Sequence, residues 1–130
     1  MLLLNFKINR LPPSVNAMYK IGGKKLYKTE EVKKFQKILL TTFSKRPRIA
    51  VSMALFLEFH IKQKIKYARR DLDNFLKATI DGLQMAGQIK NDCLITSIHC
   101  SKIQDTKNFV LGAIYSDEEN TLIYQPKNDT

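Results

Sequence analysis

Hydrophobic residues alternate with polar residues in two stretches, a pattern that predicts β-strands with one buried face. The first stretch covers residues 2–8, and one of its faces carries Leu2, Leu4, Phe6 and Ile8. The second runs from 51 to 61, and its apolar side carries Met53, Leu55, Leu57, Phe59 and Ile61. Charged residues then continue the alternation at Lys62, Lys64 and Lys66. We interpret the second stretch as a long strand that leaves the core and continues as a basic ribbon.

Two segments have the spacing of an amphipathic helix. The first follows Thr29, a plausible N-cap with two glutamates in the first turn, and ends before Pro47. Its apolar face carries Val32, Phe35, Ile38, Leu39 and Phe43. The second covers roughly residues 72–86, with Gly87 as the expected C′ residue. Its apolar face carries Leu72, Phe75, Leu76, Thr79, Ile80 and Leu83.

The remaining segments complete a single domain. Residues 94–103 and 109–115 are predicted to form an antiparallel hairpin, whereas residues 11–16 contain two prolines and cannot be regular structure. Residues 21–25 are predicted to be a mobile basic loop. The order β-α-β-α-β-β indicates an α/β (α+β) fold, a mixed sheet of about four strands with two main helices packed on it. We expect one domain over 1–130, with a polar tail from 116.

The composition excludes several classes of protein. No run of eighteen apolar residues occurs, so no membrane span is expected, and the apolar start at residues 1–4 lacks a preceding basic region, which argues against a signal peptide. Cys93 and Cys100 are the two cysteines, too few for a disulfide-stabilised secreted scaffold and without zinc-ligand spacing. We therefore expect a cytoplasmic protein in which both thiols are buried.

The net charge of +10 points to a polyanionic partner. Residues 1–50 hold 12 basic and 2 acidic residues, whereas residues 51–130 hold 10 of each, so the whole excess lies in the first part of the chain. A solvated basic surface would explain the charge without a partner. Carboxylates with a catalytic arrangement accompany it, however, and favour nucleic acid.

Those carboxylates lie around the second predicted helix. Asp71 and Asp73 stand at its start behind Arg69 and Arg70, and Asp92 follows the connection after it. Clustered carboxylates repel unless a cation lies between them, and Mg²⁺ prefers oxygen ligands. Asp92 could reach the same site if the next strand runs back alongside the helix.

The rest of the helix carries a polar stripe with the spacing i, i+4, i+8, formed by Asp73, Lys77 and Asp81. Because eight residues of helix span about 12 Å, Asp73 and Asp81 cannot bind one ion together. Asp81 is expected to pair with Lys77 or to support the ligands from outside. Plain N-capping by the aspartates, and an ordinary salt bridge of Lys77, are the structural alternatives. His60 and His99 are isolated and are interpreted as strand or surface histidines.

The ordered set of residues resembles the RusA family of Holliday-junction resolvases over about residues 8–115. The similarity rests first on the segment 69–74 (Arg-Arg-Asp-Leu-Asp-Asn), followed by Lys77, 81–83, Gly87, 91–92 and Ile95. It rests also on residues 12–16, followed by Tyr19 and Tyr27. Asn91 departs from the family pattern, where a second aspartate usually precedes the Asp92 position.

The resemblance implies catalytic roles for Asp71, Asp73, Lys77 and Asp92, with the three aspartates as metal ligands. It implies a Mg²⁺-dependent endodeoxyribonuclease, in which Mn²⁺ can substitute, acting as a homodimer on branched DNA of the four-way junction type. Such a protein would be bacterial or phage-encoded. Asn74, Asp81 and Asn91 are expected to support the metal ligands.

Seven basic residues are predicted to contact phosphates more than base edges. They are Lys24, Lys25, Lys62, Lys64, Lys66, Arg69 and Arg70. Two alternative functions stay open from the residues: a basic nucleic-acid-binding module without activity, and a metal-dependent nuclease without preference for junctions.

Overall fold

The computed structural model describes residues 1–13, 19–22, 25–28, 30–44, 46–62 and 72–117. The order of elements in this part of the chain is β1 (Leu2–Ile8), β2 (Tyr19–Gly22), β3 (Lys25–Lys28), α1 (Glu30–Phe43), β4 (Met53–Ile61), α2 (Leu72–Met85), a 3-10 turn (Asp92–Leu94), β5 (Ile95–Gln104) and β6 (Phe109–Ser116). Both predicted helices and all four predicted sheet strands are confirmed.

The main sheet has four strands in the order β1-β6-β4-β5. Strand β6 pairs antiparallel with β1 on one side and with β4 on the other, whereas β4 and β5 run parallel. The sheet is therefore mixed, and the predicted α+β class is confirmed.

The predicted hairpin between the last two strands is wrong, because β4 lies between β5 and β6. The turn at residues 105–108 instead crosses the end of β4. The Asp105 amide donates to the Ile61 carbonyl at 2.9 Å, and the Lys62 amide donates to Asn108 Oδ1 at 2.6 Å. These two bonds hold the turn on the end of β4, which explains how so short a connection skips a strand.

The predicted basic loop at 21–25 is also corrected. Residues 19–22 and 25–28 form a small antiparallel sheet, in which Ile21 pairs with Leu26 and Gly22 with Lys25. Residues 22–25 are two glycines followed by two lysines, a composition typical of loops. The sequence therefore did not reveal the two short strands. The predicted N-cap Thr29 and residues 14–16 of the proline segment lie outside the described residues.

The core lies between one face of the sheet and the two helices. Alternate residues of β1, β4 and β6 enter it, including Ile8, Phe59 and Ile114, which are fully buried. Val32 of α1 packs on Ala78 of α2, and a Cβ added to Gly82 would meet Leu39 and Phe35 of α1. Because increasing numbers in α1 meet increasing numbers in α2, the two helices run parallel.

Helix α2 runs antiparallel to β4. Its first turn places Phe75 against Phe59 near the end of β4, with ring centroids 5.1 Å apart. Beyond its C-terminal end, the Gln88 carbonyl accepts from the amide of Ile49, which precedes β4. Gly87 has φ +76° and the Gln88 amide bonds the Leu83 carbonyl at 3.0 Å, as expected for a glycine at C′. No helix among the described residues is long and apolar enough to cross a membrane.

Candidate active site

The solvent face of α2 carries a polar stripe. Asp73, Lys77, Asp81 and Gln84 are all exposed, and at 100° per residue they fall within about 80° of one another around the helix. The opposite face buries Phe75, Thr79 and Leu83 against the sheet and α1. The packing of α2 therefore fixes which way the stripe points.

Asp73 lies at the end of the stripe that is nearest the C-terminal ends of β4 and β5. It stands in the first turn of α2, two residues before Phe75, which packs on Phe59. Its carboxylate also lies near Cys100 of β5. The pKa of the Cys100 thiol is raised, mainly by burial and secondly by the negative charge of Asp73. A carboxylate in the first helical turn is also favoured by the helix dipole.

Asp92 lies at the other end of the stripe. Its amide donates to Gln84 Oε1 at 3.1 Å, which ties the 3-10 turn to the last turns of α2. Asn91 caps that turn, because its side-chain oxygen accepts from the Cys93 amide at 3.0 Å. Aspartate and asparagine serve equally well as N-caps, so asparagine at this position preserves the local structure.

Two measures agree that Asp73 and Asp92 are far apart within one chain. Eleven residues separate Asp73 from Gln84 along α2, about 16 Å at 1.5 Å per residue. Along β5, five residues of extended chain, about 16 Å, separate Cys100 near Asp73 from Ile95, which follows the turn that holds Asp92. The strand does run back alongside the helix, but it starts at the C-terminal end of α2.

The described residues accordingly contain no group of three or more His, Cys, Asp or Glu side chains that could hold a metal ion. Asp71, the predicted partner of Asp73, lies outside the described residues. The complete predicted set of ligands thus stays a prediction, with Asp73 and Asp92 placed and Asp71 not placed.

Lys77 lies one turn after Asp73 and is exposed. Neither Asp73 nor Asp81 forms an ion pair with it. The expected pairing of Asp81 with Lys77 is therefore absent. The ammonium group of Lys77 points to solvent from the same face as the Asp73 carboxylate.

The end of β4 is fixed by the side-chain contacts of His60. His60 Nδ1 lies 2.7 Å from Asp105 Oδ2, and its Nε2 lies 3.1 Å from Glu58 Oε1. The ring also stacks on Phe109 with centroids 4.2 Å apart. The pKa of Asp105 is lowered, first by the hydrogen bond from the Thr106 amide and then by the one from His60. His60 is confirmed as a strand histidine, and the sequence gave no sign of its contact with Asp105, which lies 45 positions later.

This fixed end is the point from which the chain departs toward Asp71. Lys62, a predicted DNA-binding residue, is exposed there, and its amide is held by Asn108. Lys25 is the first residue of β3. The other predicted DNA-binding residues, Lys24, Lys64, Lys66, Arg69 and Arg70, lie outside the described residues.

The cysteine and histidine predictions had mixed outcomes. Cys100 is half-buried and Cys93 is exposed, so the expectation of two buried thiols is wrong for Cys93. Cys93 lies in the 3-10 turn, where its side chain is exposed to solvent. His99 stacks on Phe56 on the face of the sheet away from the helices, at 4.7 Å between ring centroids. It is thus an ordinary strand histidine, as expected.

Gln84 is the main residue of the stripe that sequence reasoning missed. Its place eleven residues after Asp73 puts it on the same face, and this spacing was a usable signal. Glutamine carries no charge, however, and its bond to Asp92 depends on how the 3-10 turn packs.

Exposed carboxylates beside a lysine can bind a hard divalent cation and a phosphate, which are the requirements of phosphodiester hydrolysis. The family model described as Endodeoxyribonuclease RusA matches residues 10–111, a range that includes Asp73, Lys77 and Asp92. A comparison with curated proteins found no match. The chain belongs to the RusA family and is an endodeoxyribonuclease of the type that acts on Holliday-junction DNA.

Proposed function

We propose that this protein is a Mg²⁺-dependent, structure-specific endonuclease that resolves Holliday junctions by paired phosphodiester hydrolysis as a homodimer. The observation that carries the proposal is the exposed stripe of α2, where Asp73 and Lys77 stand one turn apart without pairing with each other. A purely structural aspartate and lysine at this spacing would gain from an ion pair. Since neither forms an ion pair with a described residue, both are available to a ligand.

The residues present fit a divalent cation by their chemistry. Asp73 is exposed and offers hard carboxylate oxygens. It follows Asp71 by two positions in the sequence. Mg²⁺ is typically bound by one or two carboxylates together with waters and phosphate oxygens, so a pair of aspartates suffices on one side of the ion. When bound, the ion would lower the pKa of a coordinated water and neutralise charge on the phosphate.

Each side chain then has a role in the reaction. Asp71 and Asp73 would hold the ion through their carboxylate oxygens. Lys77 places a positive charge one turn along α2, where it stabilises the negative charge that develops on the phosphate or on the leaving oxygen. Lys62 and the basic residues of 64–70 bind neighbouring phosphates, so affinity should fall steeply with salt and depend little on sequence.

Asp92 requires a second chain in this proposal. The ligands of one ion converge to within about 2.1 Å of it, whereas Asp73 and Asp92 lie at opposite ends of α2. A four-way junction presents two equivalent strands, so a twofold dimer can place one site on each. We assign Asp92 to the site that contains the Asp73 of the other copy.

A mixing experiment tests the assignment of Asp92. Chains carrying Asp73→Asn are unfolded, mixed with Asp92→Asn chains and refolded, so that mixed dimers form. Shared sites predict that one site per mixed dimer regains both aspartates and nicks the junction, although each variant alone is inactive. If the mixture stays inactive while a mixture of each variant with wild type cuts, both aspartates act from the same chain.

The overall function is tested by comparing a synthetic four-way junction with linear duplex of matched sequence, in Mg²⁺ and in EDTA. We expect paired cuts in the junction, little cutting of the duplex, and none in EDTA. Equal cutting of both substrates would identify a nuclease without junction preference. Binding without cutting in Mg²⁺ or Mn²⁺ would identify a binding module.

A further inference from the structure

The solvent face of α1 carries a second group of positive charges, which the proposed active site does not use. Lys33, Lys34 and Lys37 are exposed on this face, and Arg46 and Arg48 are exposed just beyond the C-terminal end of the helix. We call these five residues the basic row. From Lys33 to Phe43 the helix alone spans about 15 Å.

The two arginines of the row are held in place by the backbone. Arg46 Nη1 donates to the Asn5 carbonyl at 3.2 Å, and Arg48 Nε donates to the Gly87 carbonyl at 3.3 Å. A guanidinium group has five N–H donors, so each arginine keeps several for a ligand. Anchoring of this kind reduces the conformational entropy lost when a phosphate is bound.

Ordinary stabilisation of the helix does not account for these charges. The helix dipole favours cations in the last turn of a helix, and the last turn of α1 has none. Glu30 lies 3.5 Å from Lys33, but both side chains are largely exposed, and a pair of this kind contributes little. Lys34 and Lys37 form no ion pair with a carboxylate of the described residues.

The position of the row relative to α2 suggests its ligand. The two helices lie side by side and parallel, with Val32 against Ala78 and with Gly82 allowing close approach to Leu39. Lys33 and Lys34 therefore lie level with the segment of α2 between Lys77 and Asp81. Packed helices have axes about 8–10 Å apart, so the basic row and the polar stripe are neighbouring parallel strips of one surface.

We propose that the basic row binds the phosphate backbone of a duplex arm of the junction, next to the strand that lies over α2. The proposal rests on the proposed function, since it takes the DNA over α2 as its starting point. One strip would then carry out the cleavage and the adjacent strip would hold the duplex. Contacts to phosphates carry no sequence information, so the row should bind any duplex arm.

The test is the triple substitution Lys33→Gln, Lys34→Gln, Lys37→Gln, with binding measured in EDTA on both a four-way junction and linear duplex over a range of salt. Each lost phosphate contact lowers the slope of log affinity against log salt by about 0.9, so three lower it by about 2.7. We expect affinity near physiological salt to fall at least about tenfold, equally for junction and duplex.

The triple substitution to arginine is the matched control, because it keeps the charges at the same positions and should keep both affinity and salt slope. Unchanged affinity and slope in the glutamine variant would overturn the proposal, and so would a loss confined to the junction. Binding is measured without metal, so the result does not depend on cleavage. A wild-type protein that binds duplex through these lysines yet never cuts would refute the proposed function alone.

Discussion

Replacing Gly112 by alanine should destabilise the protein, because this position has no room for a side chain. Gly112 lies in β6, opposite Phe6 of β1, and a Cβ added there would overlap three atoms of the Phe6 ring. Carbon atoms in contact normally stay about 3.5–4.0 Å apart. The ring cannot easily move away, since it is 7% exposed and meets the Phe43 ring edge-on at 5.2 Å between centroids.

The magnitude follows from two opposing effects. Overpacking of a close-packed core costs about 1–3 kcal/mol. Replacing glycine by alanine also restricts the unfolded chain, which stabilises the folded state by about 0.4–1 kcal/mol. We therefore expect Gly112→Ala to lower the free energy of unfolding by about 1–2 kcal/mol. For a chain of this size that corresponds to a fall in Tm of about 4–8 °C.

Urea titration and thermal unfolding followed by circular dichroism measure this change. Leu111→Ala is the control, because Leu111 is exposed on the other face of the same strand and should lose less than about 1 kcal/mol. The double variant Gly112→Ala, Phe6→Leu should be more stable than the sum of the two single effects predicts, since a smaller side chain relieves the overlap. A Gly112→Ala protein as stable as wild type, or strictly additive effects, would refute the pairing of β1 with β6 described above.

Three further outcomes follow from the site and its surroundings. Lys77→Met should lower the rate of junction cleavage at saturating protein by about 10²-fold or more, whereas junction binding in EDTA should be unchanged. Cleavage by this variant at the wild-type rate would exclude Lys77 from the chemistry. Since the pKa of Asp105 is lowered in the folded state, its contribution to stability is complete above the ordinary carboxyl pKa and is lost as pH falls through the folded value. Urea titrations of wild type and Asp105→Asn should therefore converge in acid and separate toward neutral pH, and parallel profiles would contradict this. Iodoacetamide at about pH 8.5 should alkylate Cys93 before Cys100, because Cys93 is exposed and the pKa of the Cys100 thiol is raised mainly by burial. Peptide mass spectrometry measures the two rates, and faster labelling of Cys100 would contradict its half-buried position.

The elements with strong periodicity were predictable from the sequence. Strands β1 and β4 and both helices follow alternating or 3.6-residue patterns, because each buries one face against the same core. The end of α2 was also predictable, since Gly87 adopts the positive φ that glycine tolerates best. In these cases the local pattern and the tertiary packing favour the same structure.

The pairing of the last two strands was not predictable in the same way. A short polar connection between two strands normally indicates a hairpin, but here β4 is inserted between them. The bonds that hold the connection, from Asp105 to Ile61 and from Lys62 to Asn108, join residues more than 40 positions apart. No local pattern contains this information.

The polar stripe of α2 was predictable from the sequence, whereas the position of Asp92 relative to it was not. The spacing of Asp73, Lys77 and Asp81 was enough to place them on one face of α2. The position of Asp92 depends instead on where the 3-10 turn docks, which the bond to Gln84 determines. The sequence therefore left open a site shared by Asp73 and Asp92, whereas the fold places these two residues at opposite ends of α2.

The most direct test of the account is the cleavage of a four-way junction by Asp73→Asn beside Asp81→Asn, under single-turnover conditions in Mg²⁺. Both residues are exposed on the same face of α2, and both substitutions remove one negative charge. We predict that Asp73→Asn binds the junction as wild type does but no longer cuts it, whereas Asp81→Asn still cuts. Cleavage by Asp73→Asn at the wild-type rate would contradict the assignment of the active site to the first turn of α2.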